Sequence, residues 1–197
     1  ACGAYCDANE LAFSPDGSVL YIADTTNVVR WNLRANRVHL LTPGRIGGVF
    51  ARGTAFVALS PDGRRLAVGG VPGIAVLDAS SGRVLATNAS IPLMWGIAVS
   101  PDGRTIAASE APAYPSFTVA GAIRLFDAAS LRPLRTLARL EGSAFTAIGF
   151  SPDGRALAFG TNLGASGIYD VASGNRLVSF PGHTTNIWQV EFSPDGN

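Results

Sequence analysis

Few residues in this chain are of the types that most often carry out covalent or acid–base chemistry. Its 197 residues include two cysteines, Cys2 and Cys6, and two histidines, His39 and His183. The cysteines suit a local disulfide in an exported protein, a pair of metal ligands, or two thiols in a terminal strand. Two ligands alone do not complete a metal site. His39 stands among leucines in an outer strand, as a half-exposed filler. Of ten aspartates, Asp16, Asp62, Asp102, Asp153 and Asp195 sit in copies of one tetrapeptide, and Asp78, Asp127 and Asp170 each end an apolar run. Asp7, Glu10, Glu110 and Glu141 are left as carboxylates for one face of the molecule. No nucleophile elbow, phosphate-cradling glycine loop or zinc-ligand spacing is present. The sequence therefore predicts no catalytic residue, no metal site and no cofactor. Recognition by aromatic side chains is the chemistry left.

Composition narrows the partner. The net charge is +1, without a basic cluster, which argues against a nucleic-acid footprint. No apolar run approaches the ~18 residues of a membrane helix. All fifteen basic residues are arginine, the usage expected of a GC-rich, bacterial genome. Cytoplasmic and exported locations both stay open. The chain begins at Ala1, has Met94 as its one methionine, and stops just after a repeat motif, so a piece of a longer protein is expected.

That motif, Ser-Pro-Asp-Gly, recurs at Ser14–Gly17, Ser60–Gly63, Ser100–Gly103, Ser151–Gly154 and Ser193–Gly196, in steps of 46, 40, 51 and 42 residues. Such a period marks units that cannot bury their own apolar faces alone. Proline presets φ at the second corner and glycine supplies positive φ at the exit, so each copy reads as a hairpin turn. Short apolar runs precede it, as in Leu11-Ala12-Phe13 and Val57-Ala58-Leu59. Leu20-Tyr21-Ile22 and Leu66-Ala67-Val68 follow, apolar on both faces as in a sheet sandwiched between neighbours. Third runs end in Trp31-Asn32, Leu77-Asp78, Phe126-Asp127 and Tyr169-Asp170. Fourth runs are Val38–Leu41, Val84–Thr87, Leu134–Leu137 and Leu177–Phe180.

Four antiparallel strands per ~40–45 residues make one blade of a β-propeller. The chain resembles the WD-repeat β-propellers in its Phe-Ser-Pro-Asp-Gly hairpins, in Ile123-Arg124-Leu125-Phe126-Asp127, and in Gly182-His183 ahead of Ser193. More loosely it is similar to the YVTN-type and TolB-type propellers. It has no literal Trp-Asp and a single Gly-His, so the family's His–Asp tetrad has no basis in units two to four. His183 fits the Gly-His structural element. The predicted fold is all-β: four four-stranded antiparallel blades plus the first strand of a fifth, an arc of a 7- or 8-bladed ring. The units run over about 7–52, 53–92, 93–142, 143–185 and, in part, 186–197.

The first and third connections of each unit are short, whereas the second connection and the link between units vary, and variable loops read as the working face. The insert 110–121 holds Tyr114 and Phe117 beside Pro112 and Pro115, either as anchors for a partner or folded back over their own blade. By resemblance to the WD-repeat pattern, positions five and seven before the motif serine open the innermost strand around the channel mouth on that face. There stand Asn9, Trp95, Thr146 and Trp188, with Leu93 and Asn186. Trp95 and Trp188 are the preferred contacts, with packing between blades as the other reading. The expected function is a non-catalytic scaffold binding a peptide, a partner domain or another domain of the same polypeptide. A lactonase-like hydrolase or quinoprotein dehydrogenase is the alternative.

Overall fold

The computed structural model describes residues 10–24, 27–42, 56–70, 72–110 and 120–196. Asn9, Tyr114, Phe117, Cys2 and Cys6 lie outside these. The described residues form sixteen strands in four sheets. The first sheet holds β1 (Glu10–Phe13), β2 (Val19–Ala23), β3 (Val28–Asn32) and β4 (Arg37–Leu40). In the second are β5 (Phe56–Leu59), β6 (Arg65–Gly70), β7 (Gly73–Asp78) and β8 (Val84–Asn88). The third contains β9 (Met94–Val99), β10 (Thr105–Glu110), β11 (Gly121–Asp127) and β12 (Pro133–Leu140). The fourth contains β13 (Phe145–Phe150), β14 (Ala156–Thr161), β15 (Ser166–Asp170) and β16 (Arg176–Phe180). Every sheet is an antiparallel meander in chain order. This is the four-bladed all-β arrangement that the repeats predict. No helix among the described residues is long and apolar enough to cross a membrane.

The hairpin turns form because serine, aspartate and glycine satisfy one another locally. In the second unit the Ser60 hydroxyl donates to Asp62 Oδ1 (2.6 Å), and the Arg65 N–H donates to Ser60 Oγ (2.9 Å). Gly63, at φ +70°, donates its N–H to the Ser60 carbonyl at 2.8 Å. Successive turns also touch. A Cβ on Gly63 would lie 3.1 Å from the Pro15 ring, and one on Gly154 would lie 3.4 Å from Pro101. Each hairpin thus leans on the one before it, which fixes the angular step from blade to blade.

Three apolar layers fill the spaces between blades. Val19, Tyr21 and Val28 pack on Val57, Leu66 and Val68. Ile74 and Val76 pack with Met94, Ile97, Ile106 and Phe126. Ile123 and Leu125 meet Phe145, Leu157, Phe159 and Tyr169, where Phe145 lies edge-on to Phe159 with centroids 5.5 Å apart. Both faces of the middle sheets are buried, as their unbroken apolar strands require.

The fifth unit departs from expectation. Its turn is closed, with Ser193 Oγ 2.6 Å from Asp195 Oδ1 and the Gly196 N–H donating to the Ser193 carbonyl. The run ahead of it, 186–192, forms no strand. It lies instead on the fourth sheet, where a Cβ on Gly149 would meet the Val190 carbonyl at 3.0 Å. Among the described residues it joins none of the four sheets as a strand.

Candidate functional site

The innermost strands β1, β5, β9 and β13, with residues 188–192, enclose a cavity of about 630 Å³. Glu10, Phe56, Trp95, Thr146, Trp188 and Glu191 are among its lining side chains. The register that aligns Trp95, Thr146 and Trp188 in the repeats thus brings all three to one wall.

How each is aimed depends on a β-bulge. In the β9–β10 pair, Ser109 stands opposite Gly96 and Glu110 opposite Met94, so Trp95 is the extra residue. In the β13–β14 pair, Phe145 faces Thr161 and Ala147 faces Gly160, so Thr146 is the extra residue. A bulge bends the strand and re-aims the residue that it frees from the ladder. The displaced Trp95 N–H donates to Ser109 Oγ at 3.2 Å, and Ser109 is fully buried. Trp95 itself is partly exposed toward the cavity. Thr146 is only 5 % exposed, and its hydroxyl donates to the Ile187 carbonyl at 2.6 Å. It therefore ties residue 187 to the fourth blade. Trp188 is 78 % exposed.

Leu93 and Asn186, two residues before the tryptophans, are partly buried and do not line this cavity. Asn186 Oδ1 is buried without a hydrogen-bond partner. His39 is exposed on β4, opposite Arg30, and His183 is exposed beside the fourth blade. Glu110 forms an ion pair with Arg124 at 2.7 Å. Among the described residues, no three of His, Cys, Asp and Glu come together to hold a metal ion.

One side chain at the cavity escapes the sequence register. Glu10, four residues before its motif serine, accepts a hydrogen bond from the Val57 N–H at 2.8 Å. Burial pushes its carboxyl up to about 7, the hydrogen bond offsetting only part of that. The equivalent positions hold Phe56, Gly96, Ala147 and Gln189, so one acid among uncharged residues was the available signal. The turn aspartates go the other way. The Ser60 and Ser100 hydroxyls, with backbone N–H groups, hold Asp62 and Asp102 below the usual carboxylate range.

Four radial blades around a shared cavity, built on one repeated hairpin, define a propeller. Comparison with known families places the WD domain, G-beta repeat, on residues 174–197, the stretch that carries Gly182-His183 and the fifth hairpin. Among solved structures the chain is similar to Kuenenia stuttgartiensis hydrazine synthase, with a TM-score of 0.79 and 23% identity. The match covers 100% of this chain and 55% of that one, so the chain spans about half of that protein's length. No curated protein matches the chain. Together the blades and the matching repeat fit a WD-repeat β-propeller.

Proposed function

We propose that the chain is a non-catalytic interaction module that docks a peptide, a partner domain or another domain of its own polypeptide at the long-loop mouth of the central cavity. The observation that carries this reading is Trp188, left 78 % exposed at the rim of a cavity that Trp95 also lines. Keeping an indole in water forfeits the hydrophobic gain of burying it, and buried aromatic anchors dominate interface hot spots. Trp95 adds a side chain aimed by a bulge whose displaced backbone N–H is tied to a buried hydroxyl, a backbone-fixed first contact that lowers the entropy cost of docking.

The test is capture. Tagged native chain and a Trp95→Ala/Trp188→Ala variant are incubated with soluble extract, and proteins retained by one and not by the other are quantified. The double variant is expected to lose the specific partners while keeping its β-sheet circular dichroism. Unchanged capture would place the docking face elsewhere. Collapse of the variant's fold would make the indoles packing elements.

The enzymatic reading draws support from Glu10, a carboxyl whose raised pKa suits a general acid, and from the synthase named among similar folds. Elemental analysis after soaking in Ca²⁺ and Zn²⁺ separates the two, since stoichiometric uptake would favour the enzyme.

A further inference from the structure

The cavity carries charge of one sign. Its ionisable lining side chains are Glu10 and Glu191, with no arginine or histidine among the described residues that border it. This holds in a chain with fifteen arginines and a net charge of +1. Glu191 is already engaged, accepting from Gln189 Nε2 at 2.7 Å. Glu10 has only the Val57 N–H, and no charged neighbour acts on it among the described residues. On its own sheet face Arg30, Arg37 and His39 stand on β3 and β4, away from the cavity lining.

A carboxyl withdrawn from water without a counter-charge is costly to ionise, and a ligand cation removes that cost. Trp95 and Trp188 line the same cavity, and an indole face attracts cations, most strongly where water is excluded. An acidic ligand would meet two carboxylates and, among the described lining residues, no base. A wholly apolar one would seal Glu10 in with nothing to balance it.

We propose that the cavity mouth receives a basic side chain of the docked partner, an arginine or lysine, with Trp95 and Trp188 offering their ring faces and Glu10 serving as counter-ion. This rests on the docking reading above and names the chemistry that the face selects.

Isothermal titration of the full chain with blocked tripeptides tests it: Ala-Arg-Ala, its neutral isostere Ala-citrulline-Ala, and Ala-Glu-Ala. At about pH 8 Glu10 is ionised. The arginine peptide is expected to bind about tenfold or more tightly than the citrulline peptide, as loss of one ion pair and one cation–π contact implies. The glutamate peptide should give no binding heat. Glu10→Gln should erase the preference for arginine over citrulline, and Trp188→Ala should weaken the arginine peptide. Because Trp188 is exposed, its variant keeps the test open should Glu10→Gln fail to fold. Equal binding of arginine and citrulline peptides would overturn the cation inference and leave docking intact. Absence of binding by any peptide would overturn it too, with docking then judged by the capture experiment alone.

Discussion

Glu10 holds its proton well past the usual carboxylate range because burial costs its ionised form more than the single Val57 hydrogen bond returns. Its folded pKa of about 7 stands above the ordinary 4.5, so between those values the native state binds a proton that the unfolded chain has released. Stability must therefore fall as pH rises through that window, by up to about 3 kcal/mol from this residue. The aspartates of the hairpins act in the opposite sense. Serine hydroxyls lower Asp16, Asp62, Asp102 and Asp153, so their contribution is present at neutral pH and lost as pH falls through their folded values. Urea denaturation across a pH series is expected to peak on the acid side, near pH 5. Glu10→Gln should flatten the alkaline limb and leave the acid limb in place. An unchanged slope between about pH 5 and pH 8 in that variant would remove Glu10 as its source.

At the scale of the strand, the bulge in β9 is the device that turns a ladder residue into a lining residue. Its cost is the orphaned Trp95 N–H, which the buried Ser109 hydroxyl satisfies. Ser109→Ala should destabilise the fold by about 1–3 kcal/mol, the penalty for a polar group left unpaired. It should also loosen Trp95, read as a lower midpoint in urea and a lower steady-state fluorescence anisotropy. A drop in midpoint with unchanged anisotropy would mean that Trp95 is held by its ring contacts alone. The strands themselves were legible in the sequence because their cause is local: Ser60, Asp62 and Gly63 close a turn with one another's atoms, and four more copies do likewise. Register alone also brought Trp95, Thr146 and Trp188 to one wall. It did not separate them, because the Thr146 hydroxyl is consumed by the Ile187 carbonyl, forty-one residues on. Glu10 is among the carboxylates that the sequence leaves for one face, but its burial and its hydrogen bond are not legible there, since both come from a neighbouring blade. Residues 186–192 read as a strand by composition, but pairing needs a partner that their own sequence cannot supply.

For the whole arc, the decisive asymmetry lies between the first sheet and the other three. Leu11, Phe13, Val38 and Leu40 are each at least half exposed, and with Leu20, Ile22, Val29 and Trp31 they make the outer face of the first sheet apolar throughout. The positions of Leu11 and Trp31, on the first and third strands, are buried in every later blade. Where the first blade has Leu11, the next three have Val57, Ile97 and Ile148, all under a tenth exposed, and where it has Trp31 they have Leu77, Phe126 and Tyr169. In those blades the preceding sheet supplies the cover. A contiguous apolar sheet face of this kind is an association surface in water. The chain is therefore expected to self-associate with rising concentration, seen as growing mass in light scattering. Replacing Leu11 and Val38 by aspartate places charge on that face without touching any interblade layer. The double variant should stay monomeric, with its stability changed by no more than about 0.5 kcal/mol per site, as for ordinary surface substitutions. Monodisperse, monomeric native chain at high concentration would show that this face is tolerated in water. Loss of folding in the variant would show instead that the face is already covered from within the chain.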